Sequence, residues 1–162
     1  MPALICGSLA FDTITVFPGR FAQQILPDQL HILNVSFLVP ELRREFGGCA
    51  GNIAYTLHAL GGAPVIMATV GNDGADYLQR LRGWGVDTSL VTTVADTYTA
   101  QAIIITDVDN NQITAFHPGA MQQAGEVEVP ARDDLKIGII APGWKAVIWL
   151  LSVSVMIIAC AV

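Results

Sequence analysis

A chain of 162 residues, 52% hydrophobic and 14% charged, is long enough for one domain with a real core. Its formal net charge of -6 and pI near 4.7 disfavour nucleic acid and anionic membrane as partners, since both are normally met by a basic patch, and the Arg43-Arg44 pair is flanked by Glu41 and Glu45. Cys6, Cys49 and Cys160 are an odd set without a CxxC, which speaks against a disulfide framework and a zinc site and fits a reducing cytoplasm.

The first residues lack the basic region and long apolar core of a secretory signal; Leu4 to Cys6 reads as a buried strand ending in a glycine turn. Gly7-Ser8 then turns the chain toward Asp12, placing a carboxylate just beyond the C-terminal end of that strand, where ligands of open α/β sheets sit. Two β-prone runs, 13–17 and 31–39, are separated by Pro18-Gly19 and Pro27-Asp28 and suggest strands outside the main sheet. Beyond the glycines of 47–51, Ile53, Leu57 and Leu60 recur at helical spacing until Gly61-Gly62 stops the helix. A strand is expected from Pro64 to Val70, then a Gly71-Asn72-Asp73-Gly74 turn with an N-cap candidate. A helix from Ala75 to Arg82 follows, with Tyr77, Leu78 and Leu81 on one face and Gly83 as its stop. Val86 to Val94, Thr99 to Thr106, Gln112 to Phe116 and Lys136 to Ala141 read as further strands, with a turn across Asp107 to Asn111. The alternation predicts a parallel α/β core, and the extra β-rich pieces predict a lid over one edge.

The segment Gly47-Gly48-Cys49-Ala50-Gly51-Asn52-Ile53-Ala54, with Gly61 and Gly71 after it, carries the clearest chemical signal. Glycine permits close backbone approach and positive φ, and Asn52 offers a donor and an acceptor to hydroxyl groups. Neither G-x-G-x-x-G nor a Gly-Lys-Ser/Thr loop is present, so this is neither a dinucleotide fingerprint nor a Walker A loop. Asp12 has two readings, a turn residue or a carboxylate that holds vicinal hydroxyls by charge-assisted hydrogen bonds. His31, His58 and His117 stand apart with no partner at metal-ligand spacing, and Cys49 reads as a small buried hydrophobe rather than a nucleophile.

The spacing from Gly47 to Gly71 resembles the N-terminal signature of the PfkB, or ribokinase, family of carbohydrate kinases. The segments 7–12, 17–21, 36–39, 106–109 and 116–121 are similar to bacterial adenosine-kinase-like members, over about Ala3 to Ala141. The resemblance implies a ribokinase-like fold: a central parallel sheet flanked by helices, with a small β-sheet lid (13–17, 31–39 and 99–117) that in the family often forms a dimer contact. It implies transfer of the γ-phosphate of ATP to a primary hydroxyl of a sugar or nucleoside, with Mg²⁺ and often K⁺. Carried over by position, Asp12 grips ribose hydroxyls, Gly47 and Gly48 pass close to the sugar, Asn52 hydrogen-bonds it, and Ser8 and Ser36 add contacts. Phe116 is either strand core or a lid aromatic packing on the base or sugar. Ala102 stands where adenosine-kinase-like relatives tend to carry another aromatic.

The family's catalytic hallmark, a Gly-Ala-Gly-Asp turn that supplies the base and the anion hole, does not occur in the 162 residues. The expectation is therefore a truncated domain: residues 1–141 as the acceptor-binding half, with no catalytic residue or metal ligand, and 142–162 as a divergent apolar tail. That tail, broken only by Ser152 and Ser154 after Ala146, fits a short membrane helix, a buried strand or helix short of neighbours, or a shifted reading frame; the abrupt change of composition favours the last. Two other functional readings stay open, a non-catalytic nucleoside-binding or dimerisation module and a membrane-anchored fragment.

Overall fold

A computed structural model describes residues 2–127, 132–135, 137–141 and 156–159. In chain order its elements are β1 (Pro2–Cys6), β2 (Ala10–Val16), the four-residue helix α1 (Phe21–Gln24), β3 (Leu42–Gly47), α2 (Cys49–Ala59), β4 (Ala63–Val70), α3 (Ala75–Gly83), β5 (Asp87–Thr93), β6 (Ala100–Thr106), β7 (Gln112–His117), β8 (Ile137–Ile140) and β9 (Met156–Ala159). Short 3₁₀ segments occupy Pro27–Ile32 and Gly119–Glu126.

Five strands form a parallel sheet in the order β5-β4-β1-β8-β9. Its central strands are continuous apolar runs because both faces are covered. Strand alternation sends Ile5, Ile66 and Ala68 to the face packed by α2 and α3, where Leu9, Ala50, Ala54, Tyr77, Leu78 and Leu81 complete one core cluster. Leu4, Cys6, Val65 and Met67 point the other way, onto Ala124, Leu135 and Ile140. Burial there pushes the Cys6 thiol up to about 12, so it remains a neutral hydrophobe.

The second sheet has the order β3-β2-β6-β7, with β2 and β6 parallel and both outer pairs antiparallel. Its composition differs from the sequence reading at one strand. Residues 31–39 do not pair: Pro27 opens a 3₁₀ turn to Ile32, and 33–40 has no regular structure, with Leu33 and Leu38 exposed and Phe37 packed between Phe17 and Phe21. The fourth strand is Leu42–Gly47 instead, whose Leu42 to Glu45 are all exposed. An edge strand exposed on both sides need not alternate, so charge hid it from a hydrophobic pattern.

Helix α2 leaves its helical path at Gly61 (φ 82°), where the Gly61 and Gly62 amides donate to the carbonyls of His58 and Leu57. Helix α3 includes Gly83, and the positive φ falls on Gly85 (80°), two residues beyond the expected stop. The tail also departs from expectation: Met156–Ala159 pairs in parallel with β8, from Ile137↔Met156 to Ile140↔Ala159, so a strand there does have a neighbour. Most of the tail, 142–155 and 160–162, lies outside the described residues. No helix among the described residues is long and apolar enough to cross a membrane.

Gly71 follows β4 and lies against the segment that leads into β6. A Cβ there would overlap the backbone of Thr97 to Thr99, whereas one at Gly83 would meet nothing within 4 Å. Gly71→Ala is therefore expected to cost roughly 1–3 kcal/mol by overpacking. Gly83→Ala is expected to gain about 0.5–1 kcal/mol from helix propensity. Urea titration of the two variants checks the contrast.

Candidate functional site

Of the predicted site residues, Ser8, Asp12, Gly47 and Gly48 come together where the two sheets join. Strand β1 ends at Cys6, the chain turns through Gly7 to Leu9, and β2 begins at Ala10; β3 ends at Gly47 and α2 begins at Cys49. These two connections cross. The Cys49 amide donates to Ser8 Oγ at 3.1 Å and the Ala50 amide to the Ser8 carbonyl at 3.0 Å, which satisfies two of the four free N–H groups at the start of α2. Gly48, with φ 89°, has no room for a side chain because a Cβ would overlap the Ser8 carbonyl and press on Leu9 and Ala10.

Asp12 is half-buried on β2, and its carboxylate occupies the space that a side chain at Gly47 would fill. Burial raises its pKa above the ordinary carboxylate value. Across the second sheet the register runs Glu45↔Asp12↔Ala102↔Phe116, so these four residues share one face. Phe116 is exposed on that face, not packed in a core, and Ala102 leaves the floor between it and Asp12 low. Asn52 sits in the first turn of α2, exposed, and lines a cleft of about 420 Å³ with Glu45, Tyr55, Tyr77, Arg80 and Trp84; Asp12 is not among its walls. Ser36 lies exposed in the irregular 33–40 segment, outside the sheet that carries Asp12 and Phe116.

Three polar residues at this junction are not read as site residues from the sequence. Tyr77 on α3 donates its hydroxyl to the Gly47 carbonyl at 2.6 Å. Its pKa is driven up, first by burial and then by the Asp12 charge, against a smaller opposing effect of Arg80. Arg44 on β3 lays its guanidinium 3.6 Å from the Phe11 ring centroid and bonds Asp73 at 2.8 Å. Asp73 does not cap α3, whose N-cap Gly74 receives no side-chain bond. It accepts from the Thr99 amide at 2.7 Å, while Thr99 Oγ1 accepts from the Gly71 amide. Nothing in the local pattern of a Gly-Asn-Asp-Gly turn announces a bond to a residue 26 positions away.

A second buried carboxylate shapes the β6–β7 turn. Asp107 accepts from the amides of Phe21, Asp109 and Asn111 and from the Asn111 side chain. Burial raises its pKa, but the bonds from Asn111, Phe21 and Asp109 outweigh that and hold it below the ordinary range. Among the described residues no three His, Cys, Asp or Glu side chains are grouped to hold a metal ion. His31, His58 and His117 are exposed and apart.

A parallel sheet flanked by helices, with a small mixed sheet joined at the C-terminal end of its first strand, is the architecture of ribokinase-like kinases. The family model for pfkB family carbohydrate kinases matches residues 19–136, and the chain belongs to that family. A nucleoside kinase of Methanothermobacter thermautotrophicus is 33% identical over 122 residues, covering 74% of this chain and 40% of its own length. The solved nucleoside kinase of Burkholderia thailandensis in complex with inosine superposes with a TM-score of 0.78 at 47% identity, covering 97% of this chain and 51% of that one. The same kinase in complex with ADP-inosine gives 0.73 at 50% identity. The chain thus spans about half the length of these relatives, which are named nucleoside kinases rather than adenosine kinases.

For Asp73, burial raises the carboxyl pKa, but the bonds from Thr99 and its own amide and the Arg44 charge bring it below the ordinary value. The stability it adds is therefore complete above the unfolded carboxylate pKa, about 4, and is lost as pH falls through the lower folded value. Asp73→Ala is expected to cost roughly 1–3 kcal/mol at pH 7. The cost should shrink toward zero in acid, as read by denaturant melts at stepped pH.

Proposed function

We propose that this chain carries the acceptor side of a nucleoside kinase, with the second sheet acting as the lid and its Asp12 face receiving the nucleoside. The observation that carries the reading is the Asp12–Ala102–Phe116 row. Two strand spacings separate its ends, about 10 Å, enough to place a ribose at the carboxylate and a flat base over the ring. Asp12 holds the vicinal hydroxyls, Gly47 and Gly48 bound the sugar, Asn52 and Ser8 supply further hydrogen bonds, and Ser36 reaches the acceptor only if the irregular 33–40 segment folds over it. A small residue at 102 suits a hypoxanthine or adenine base without a second stacking ring. The inosine bound to the Burkholderia thailandensis relative supports this class of acceptor.

The phosphoryl donor in this reading is ATP, and the receiving group is the primary hydroxyl of the ribose, in keeping with the ADP-inosine complex of the same relative. Among the described residues no three His, Cys, Asp or Glu side chains are grouped, and no step through a metal or K⁺ is assigned to them. Nor does a Gly-Ala-Gly-Asp turn occur in the sequence, so we infer that the 162 residues bind an acceptor without turning it over. The opposite face of the lid exposes Leu42, Ile103 and Ile113, which favours pairing of two copies through it. A cytoplasmic location accords with the free, buried Cys6.

Calorimetric titration with inosine, adenosine and ribose tests the assignment. Asp12→Asn is expected to weaken nucleoside binding roughly 10- to 150-fold, the loss of charge-assisted hydrogen bonds. Its effect on stability runs the other way. Because burial raises the folded pKa, the contribution of Asp12 favours folding below the unfolded pKa and is lost as pH rises through the folded value, so the neutral amide should melt higher at pH 7. Nucleoside affinity of the wild type should fall as pH drops through that raised pKa. Unchanged affinity in Asp12→Asn would sink the acceptor assignment, and ATP-coupled turnover at an ordinary kinase rate, 1–100 per second, would sink the inference of binding without transfer.

A further inference from the structure

Tyr77 is 2% exposed, with its ring against Phe11 at 5.7 Å and Phe46 at 4.9 Å. A phenylalanine would fill that space equally well. The hydroxyl adds one thing, its bond to the Gly47 carbonyl, and the fold makes room for it by leaving Gly51 without a side chain, since a Cβ at 51 would overlap the hydroxyl. Gly47 is in turn the residue whose missing side chain seats the Asp12 carboxylate. One glycine therefore touches the tyrosine through its carbonyl and the acceptor carboxylate through its α-carbon. The glycines at 47 and 48 have no side chains to fix their peptide plane, and glycine is the residue with the most backbone freedom to lose.

We propose that Tyr77 is a positioning residue for the acceptor site: its hydroxyl fixes the Gly47–Gly48 peptide from behind, and that peptide holds the Asp12 carboxylate in place on the other side. The proposal rests on the acceptor reading above and extends it to a side chain whose hydroxyl is engaged by the Gly47 carbonyl. Gly51 belongs to the same device. Its place in the glycine-rich segment is explained by the tyrosine, whereas Gly47 answers to the carboxylate and Gly48 to the crossing backbone.

The test compares wild type, Asp12→Asn, Tyr77→Phe, Gly51→Ala and the double variant Tyr77→Phe/Gly51→Ala in the full 162-residue chain, by calorimetric titration with inosine and by thermal melting. Tyr77→Phe is expected to weaken inosine binding roughly 5- to 20-fold, the effect of one lost hydrogen bond on site geometry. Its amide spectrum should change at Gly47, Gly48 and Asp12 rather than across the α3 core. Gly51→Ala should weaken binding as much, because its methyl drives the hydroxyl off Gly47. In the double variant the two losses should not add, since the hydroxyl the methyl displaces is already gone. If Tyr77→Phe or Gly51→Ala binds within twofold of wild type while Asp12→Asn does not, Tyr77 is a core side chain and the proposal is wrong. Where Tyr77→Phe melts too low to titrate, Gly51→Ala alone decides, because it keeps both ring and hydroxyl. A wild type that does not bind inosine, or binds it as Asp12→Asn does, overturns the acceptor reading and this proposal with it.

Discussion

Two sheets with different pairing rules are held together in this molecule by the crossing of two short backbone segments. Ser8 supplies both its hydroxyl and its carbonyl to the first amides of α2, and Gly48 lets that helix begin in contact with the chain that caps it. A helix usually finds its N-cap one residue before its first turn. Here the cap lies 41 positions away, so forming α2 and fixing the corner between β1 and β2 become one event. Two of the residues proposed to meet the acceptor hang from that corner, because Asp12 follows Ser8 by four residues and Asn52 lies one turn into the helix it starts.

The same junction also shows what a polar site costs its fold. Asp12 is drawn out of water far enough to disfavour its own charge, and Tyr77 is buried beside it with only a carbonyl to bond. Apolar packing from Phe11, Phe46 and Leu9 on the neighbouring face offsets this. Two other carboxylates behave oppositely: Asp73 and Asp107 are held charged by hydrogen bonds from amides and tie loops down. Asp73 and Asp107 thus favour folding at neutral pH where Asp12 opposes it, a division in keeping with the role proposed for Asp12.

Much of the parallel sheet was legible in the sequence, since apolar runs such as Pro64 to Val70 have few alternatives to a strand covered on both faces. The β6–β7 hairpin was legible through the Asp107 to Asn111 turn. What failed was the edge of the second sheet. Residues 31–39 are rich in aliphatics but sit between Pro27 and Pro40 with no partner, whereas Leu42 to Gly47 hides two arginines and a glutamate in a strand held by backbone pairing with β2. The glycine-rich segment stood out in the sequence, but not the reasons for its individual glycines, which depend on Asp12, Ser8 and Tyr77 arriving from elsewhere. Tyr77 was readable only as one apolar position of a helical face, because a hydroxyl's partner across two elements leaves no trace in periodicity.

The strand at 156–159 bears on how such a domain can be bounded. Composition changes sharply after Ala141, yet the sheet continues through Ala159 because a ladder is built from amides and carbonyls that every residue but proline can offer. The open side of β8 therefore asks for extended backbone rather than for a particular sequence. A segment of different composition can thus supply the outermost described strand of the sheet, and the place where composition changes along a chain need not be the place where its architecture does.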